Sequence, residues 1–390
     1  MDKRIYLDYA ATTPLSSEVY KSMLDCFSSS YGNANSLHSF GREASSKLEE
    51  ARAIIAKSIN AKPSEIYFTS GGTEANNWAL IGLAHANKSK GKHIIISAFE
   101  HHSVLETAQL LETEGFEVSY IPITNKGIID YKELVKTIRP DTVLLSVMAV
   151  NNEIGTIQPI KAIAKLAKSY DVLFHTDCVQ ALGSVKLDVE DMDIDALSIS
   201  AHKIYGPKGI GALFVKDGVR IEKFMHGGEQ ERGLRAGTSD VPAAVGFAKA
   251  AESLIKHFTD RAKQVTKLKK YFIKSVEENI ANITVNGSQI QSVGNIANIS
   301  FNGVDGEAIV MLLDLAGIAA SNGAACASGA VAPSHVISAF NPKGAKSAVR
   351  FSFSYLTTFS DIDYTVQELK KAVENLRKLS PVKPAKGGKN

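Results

Sequence analysis

Short, almost wholly apolar runs recur along the first two thirds of the chain, at residues 66–69, 93–98, 117–123, 142–149, 172–176, 196–200 and 211–215. Runs of this length bounded by turn-forming residues read as buried strands. Several of the intervals carry apolar residues at a spacing of three and four, the signature of a helix with one covered face. One such helix is expected over 74–86. Another follows Pro159, with Ile160, Ile163, Ala164 and Ala167 on one side. Proline suits the first turn of a helix, where its missing N–H would find no partner anyway. The runs at 196–200 and 211–215 are joined by a loop with no room for a helix, so they should form a hairpin. Alternation of this kind predicts a largely parallel sheet of seven strands covered by helices.

The rhythm changes near residue 260. A charged amphipathic stretch runs to about Asn279, with Val265, Leu268, Phe272 and Val276 as a buried stripe. Strands over 283–285, 296–301 and 349–353 and helices over 307–315 and 361–379 then describe a smaller α+β unit. At 390 residues the chain exceeds the comfortable size of one core. The expected division is a large domain at 15–260 and a small domain made of 1–14 and 261–380. Residues 381–390, with three lysines, two prolines and two glycines, are expected to form a mobile tail.

Composition narrows the classes. Lysine and arginine number 44 against 41 acidic residues, a net charge of +3 that is small for this length. A nucleic-acid partner is therefore not expected. No apolar stretch approaches the roughly 18 residues that a membrane span requires, and the amino terminus lacks a secretory pattern. The cysteines Cys26, Cys178 and Cys326 stand far apart, without the paired spacing of a zinc site or disulfide framework. No metal is expected, and the cytoplasm is the expected location.

Candidate chemistry lies at the ends of the apolar runs. Lys203 follows 196–200, and Asp177 closes the run before it. An amine and a carboxylate at neighbouring strand ends suit pyridoxal phosphate, which needs a lysine for its aldehyde and an acid to keep its pyridine nitrogen protonated. A surface lysine beside a turn is the alternative. The segment Thr69-Ser70-Gly71-Gly72-Thr73-Glu74 passes from strand to helix through small residues, so its free N–H groups could receive a phosphate; a plain tight connection would look similar. It lacks the Gly-Lys-Ser/Thr ending of a nucleotide loop. His101 also falls at a strand end, where it could stack on an aromatic ring and move protons, or simply pack.

Taken together, these segments resemble the cysteine desulfurases, pyridoxal-phosphate enzymes of aminotransferase fold type I. The matching motifs are Tyr6-Leu7-Asp8-Tyr9-Ala10-Ala11-Thr12-Thr13-Pro14, Thr69-Ser70-Gly71-Gly72-Thr73-Glu74, Glu100-His101-His102 and Val150-Asn151-Asn152-Glu153-Ile154-Gly155. They continue with His175-Thr176-Asp177, Ser200-Ala201-His202-Lys203, His226-Gly227-Gly228-Glu229-Gln230, Arg235-Ala236-Gly237-Thr238 and Gly323-Ala324-Ala325-Cys326. The match runs from Tyr6 to about Leu379.

The resemblance implies roles residue by residue. Lys203 would carry the cofactor and Asp177 would face its pyridine nitrogen. Gln180 would meet the phenolic oxygen, and His101 would stack on the ring. Gly72, Thr73, Ser200 and His202 would hold the phosphate, with Thr238 reaching in from a second subunit of a homodimer. Asn152 and Arg350 would bind the substrate α-carboxylate, for which the planar arginine fork is apt; a salt bridge inside the small domain is the other reading of Arg350.

Cys326 sits among small residues, Ser321 to Ala330, without the periodic apolar pattern of a buried cysteine. It reads as a thiol displayed on a loop, whereas Cys178 and Cys26 read as packing. By resemblance, Cys326 would take the sulfur of L-cysteine as a persulfide, leaving L-alanine, with His101 as proton acceptor. The sulfur would pass to an iron–sulfur scaffold protein or a tRNA-thiolation enzyme. The family often shows Gly-Ser-Ala-Cys where Gly323-Ala324-Ala325-Cys326 stands, and Gly-Gly-Gly-Gln where Gly227-Gly228-Glu229-Gln230 stands. Neither departure removes a group with an assigned role. Rival readings are a selenocysteine lyase or cysteine sulfinate desulfinase, another lyase or aminotransferase of the same fold, and an idle scaffold in a sulfur-transfer complex.

Overall fold

A computed structural model describes residues 4–322 and 333–379. A short strand β1 (Ile5–Tyr6) and helices α1 (Ser17–Ser29) and α2 (Ser39–Ser58) precede the large sheet. The sheet is then built in chain order from β2 (Ile66–Thr69), α3 (Gly72–Ala86), β3 (His93–Ser97), α4 (His102–Thr113), β4 (Glu117–Ile121) and α5 (Tyr131–Thr137). It continues with β5 (Thr142–Ser146), α6 (Ile160–Ser169), β6 (Leu173–Asp177), β7 (Ala196–Ser200) and β8 (Gly211–Val215). The seven strands lie in the order β2-β8-β7-β6-β5-β3-β4. Pairs among β3 to β7 are parallel, and β8 runs antiparallel to both neighbours. The expected seven-stranded, mostly parallel sheet and its hairpin are thus present. One turn of 3-10 helix, Ala201–Lys203, occupies the hairpin connection that the sequence suggested would hold no helix.

Why the apolar runs are continuous rather than alternating is plain from their burial. Every residue of β3, β5, β7 and β8 is buried. Successive side chains feed two separate cores, as period-two geometry requires. Ile95, Leu145, Leu197, Ile199 and Phe214 face one. Ile94, Ile96, Leu144, Ala196 and Leu213 face the other, against Trp78 and Leu83 of α3.

Helix α7 (Val241–Asn279) is 39 residues long, starting well before the amphipathic stretch legible in the sequence. Asp240 caps it by accepting from the Ala243 amide at 2.9 Å. Its first half, rich in alanine and apolar on several sides, packs on α1 and α2 and buries Ala244, Phe247 and Ala251 in the first core. Its second half places Leu268, Phe272 and Val276 in a third core. The expected division near residue 260 therefore falls inside one continuous helix. Uniform small apolar residues show no period, which is why the pattern did not reveal the helix start.

The third core lies beneath a three-stranded antiparallel sheet of β9 (Ile283–Asn286), β10 (Ile296–Phe301) and β12 (Ala348–Ser352). Helices α8 (Gly306–Leu315), α9 (His335–Ser338) and α10 (Phe359–Leu379) complete this region, with β11 (Ile318–Ala319) paired to β1. Ile5 and Leu7 are buried in the same core. Asp8 then bridges to Ser352, so the amino-terminal segment runs from this core toward the large sheet.

Candidate active site

Strands β3, β5, β6 and β7 run parallel, so the segments leaving their carboxyl ends converge on one side of the sheet, where open α/β folds bind ligands. A cavity of ≈ 520 Å³ opens there. His101 follows β3, Asn152 follows β5, Asp177 ends β6 with Gln180 just beyond, and His202 and Lys203 follow β7. All of them line the cavity, together with Gly72 and Thr73 of α3 and Arg350 of β12. A second cavity of ≈ 400 Å³ shares Gly72, Thr73 and His202 and adds Ser200 and Lys208.

The Lys203 amine donates to the carbonyls of Ala10 and Ala11, at 2.6 and 2.7 Å. Burial, followed by the positive field of Arg350, brings its pKa down to about 8. The turn behind it is held firmly. Tyr205 adopts φ 69, a backbone state disfavoured for a bulky residue, while its amide donates to Thr13 Oγ1 at 2.8 Å and its hydroxyl meets Ser354 Oγ at 2.6 Å.

Asp177 is 5% exposed and accepts two bonds, from the Val179 amide at 2.9 Å and from Asn76 Nδ2 at 2.7 Å. Gln180 Nε2 donates to the Ala10 carbonyl at 2.7 Å. His101 caps α4, its Nδ1 accepting from the Ser103 amide at 3.1 Å. Desolvation in the cleft lowers its pKa.

The opposite end of the site is built differently. Residues 70–72 turn into the amino terminus of α3. A side chain at Gly72 would place its Cβ 2.5 Å from Val179 Cγ2, so glycine is needed for this close approach. Glu74 holds the turn through the Ser70 amide at 2.8 Å, and its charge is matched by Arg235 in two bonds of 2.7 and 3.0 Å. Ser200 Oγ is buried with no hydrogen-bond partner among the described residues. Burial, then Lys203 and Lys208, brings the His202 pKa down to about 4, and Nδ1 of that ring contacts Thr12 Oγ1 at 3.1 Å.

Arg350 makes the kind of ion pair that one of its two sequence readings suggested. Nη2 pairs with Asp8 Oδ1 at 2.8 Å and Nη1 donates to the Asn152 carbonyl at 3.0 Å, while the residue still lines the cavity. Its buried Nε has no partner among the described residues.

Cys178 is fully buried in the core rather than at the cavity, and burial pushes its thiol pKa far up. Cys26 is buried in α1. Cys326 and the tail at 381–390 lie outside the described residues. Thr238 is exposed and does not line the cavity. No helix among the described residues is long and apolar enough to cross a membrane, and no group of three metal-ligating side chains occurs among them.

Several participants received no role from sequence alone: Asp8, the Ala10 and Ala11 carbonyls, Asn76 and Ser103. Asn76 stands four residues after Gly72, one helical turn on, and that spacing places it on the same face as the glycine turn. The amino-terminal motif carried family resemblance, but nothing local signalled that its carbonyls would meet an amine 193 residues away.

Comparison with known proteins gives a consistent picture. The aminotransferase class-V family model matches residues 5–365. The cysteine desulfurase IscS of Dictyoglomus turgidum is 47% identical over 385 residues, covering 98% of both chains. The mitochondrial cysteine desulfurase of Saccharomyces cerevisiae is 45% identical, over 97% of this chain and 76% of its own. Among solved structures, a NifS-like protein superposes with a TM-score of 0.90 at 35% identity, covering 96% of this chain and 100% of its own. With its glycine turn, cavity lysine and strand-end carboxylate set on this sheet, the chain belongs to the class-V aminotransferase family and, within it, to the cysteine desulfurases.

Proposed function

We propose that this chain is a pyridoxal-phosphate enzyme that removes the sulfur of L-cysteine, passing it to Cys326 and leaving L-alanine. The observation that carries the reading is the meeting of the Lys203 amine and the Asp177 carboxylate in one cavity, beside a glycine helix start and a buried Ser200 hydroxyl that has no partner among the described residues. These features fit the cofactor at both ends. The Ser200 hydroxyl, the Gly72 approach and the first-turn amides of α3 suit a phosphate. Asp177 suits a protonated ring nitrogen.

Lys203 would hold the cofactor aldehyde, Asp177 the pyridine nitrogen and Gln180 the phenolic oxygen, with His101 against the ring. Gly72, Thr73, Ser200 and His202 would hold the phosphate, together with Thr238 of the partner subunit in a homodimer. When bound, pyridoxal phosphate supplies an aldehyde for an amine and an electron sink for charge developing at a substrate Cα.

The protein's own groups then divide the work. Asn152 and Arg350 bind the substrate carboxylate, and the Asp8 pairing keeps the Arg350 fork in place before substrate arrives. Burial places the Lys203 amine near pKa 8, so a useful fraction is neutral around pH 7–8 and can take the substrate's Cα proton. The Cys326 thiolate attacks the substrate sulfur. The S–S bond forms as the substrate C–S bond breaks, and protonation of the remaining three-carbon fragment completes L-alanine. The sum is one thiol plus cysteine giving one persulfide plus alanine, with no external oxidant or reductant. The cytoplasm is the proposed location, and an iron–sulfur scaffold protein or a tRNA-thiolation enzyme the proposed acceptor class.

Mass spectrometry of the loaded protein after incubation with L-cysteine tests the reading. The peptide carrying Cys326 should gain one sulfur. Alanine release from Cys326→Ser at the wild-type rate would contradict the assignment.

A further inference from the structure

Along the cavity wall runs a chain of hydrogen bonds in which each proton has one consistent place. Asn76 Nδ2 donates to Asp177 Oδ2 at 2.7 Å and to Ser103 Oγ at 2.9 Å. Turning the amide over would set its oxygen against the Asp177 carboxylate, which accepts at both of its oxygens, so Asn76 is fixed with its NH2 toward both partners. Ser103 Oγ thus accepts a hydrogen bond from Asn76 and has its own hydrogen to give. It lies 2.8 Å from His101 Nδ1, and the Ser103 amide donates to the same nitrogen at 3.1 Å. Two donors meet one ring nitrogen, which can satisfy them only as a bare acceptor.

We propose that Asn76 and Ser103 are positioning residues that hold His101 as its Nε2–H tautomer, tying the state of this ring to the Asp177 carboxylate. The inference deepens the reading of the cavity as a pyridoxal-phosphate site, since it concerns a side chain assigned to that site.

Placement at the first turn of α4 adds to the effect. His101 is the N-cap of a 12-residue helix, whose amino-terminal dipole disfavours an imidazolium. The charged and titratable groups acting on the ring are Asp177, which favours protonation, and Lys203 and His102, which oppose it; His335 lies against His102 with ring centroids 5.2 Å apart. The hydrogen-bond chain selects which nitrogen carries the proton, a choice these charges do not make by themselves.

The consequence bears on the role expected for His101. With Nδ1 closed by two donors and Nε2 already protonated, the ring is a flat wall and a hydrogen-bond donor. It accepts a proton only after Ser103 lets go. A proton acceptor for the Cys326 thiol must therefore be another group, or His101 after that rearrangement.

Nitrogen-15 NMR of the histidine rings tests this on the cofactor-free protein, so the outcome is independent of turnover. Wild-type His101 should show Nδ1 as the bare nitrogen and Nε2 as the protonated one. Ser103→Ala removes one of two donors; mixed tautomers and an about fivefold rise in proton affinity are expected, the worth of one neutral hydrogen bond. Ser103→Thr keeps the hydroxyl and should restore the wild-type spectrum. Asn76→Ala, which frees the Ser103 hydroxyl to rotate, should shift His101 in the same direction by less. In the loaded enzyme the pH–rate profile should move with Ser103→Ala and return with Ser103→Thr. A wild-type ring protonated at Nδ1, or a Ser103→Ala ring with unchanged tautomer and titration, would overturn the proposal. Failure of the persulfide test would leave this measurement untouched.

Discussion

The two ends of the cavity are prepared in opposite ways. At the end holding Asp177, Gln180, His101 and Lys203, each of these side chains is already bonded to the protein: Asp177 to Asn76 and Val179, Gln180 and Lys203 to the Ala10 carbonyl, His101 to Ser103. At the end holding Gly72 and Ser200, among the described residues no side chain caps the first turn of α3 and the buried Ser200 hydroxyl has no partner. Groups that must keep one orientation or protonation state are locked by neighbours. Under the proposed roles, the Ser200 hydroxyl that would serve an anion has no partner among the described residues, an arrangement that costs stability in the free chain and adds to the affinity for the ligand.

The contrast can be broken most severely at the locked end. Lys203→Ala should abolish covalent cofactor attachment and lower alanine formation by about a thousandfold or more, the scale of losing both an attachment point and a proton acceptor. Absorbance after dialysis and product assay check this. At the open end, Gly72→Ala forces a Cβ to 2.5 Å from Val179 and displaces the turn. Cofactor affinity should fall by about tenfold or more, the lower part of an overpacking penalty of about 1–3 kcal/mol, as read by equilibrium titration.

A paired substitution sharpens the comparison. Asn76→Ala removes a buried donor from Asp177 and should destabilise the cofactor-free protein by about 1–3 kcal/mol in denaturant unfolding. Ser200→Ala removes a hydroxyl that has no partner to lose among the described residues, so the free protein should keep or gain stability while cofactor affinity drops about fivefold. Equal destabilisation by both would erase the distinction between the ends. The smallest expected effect is on pH. Only the neutral Lys203 amine can attack an aldehyde, and its pKa lies near 8. Cofactor capture by the free chain, followed by stopped-flow absorbance, should therefore quicken about tenfold per pH unit well below 8 and level off above it.

Much of this was legible in the residues. The inner strands of the large sheet announced themselves because both faces are covered, leaving unbroken apolar runs such as 94–96 and 143–145. The strand-end placement of Asp177, His101 and Lys203 followed from that sheet, and the glycine turn at 71–72 from its composition. What escaped is set by contacts distant in sequence. The first half of α7 is small and apolar on several sides, because α1, α2 and the core surround it. Asp8 reaches Arg350 across 342 positions, and Asn76 reaches Asp177 across 101. No local pattern encodes such meetings. Arg350 illustrates the limit well: the sequence set ion pair and ligand group as alternatives, yet the guanidinium that pairs with Asp8 also lines the cavity.

The claim on which the rest stands is that the amine of Lys203 captures pyridoxal phosphate. Borohydride reduction of the loaded protein, followed by peptide mass spectrometry, tests it most directly. A reduced pyridoxyl phosphate adduct on the peptide carrying Lys203, absent from the Lys203→Ala protein, is the predicted result. An adduct on a different lysine, or none, would contradict it.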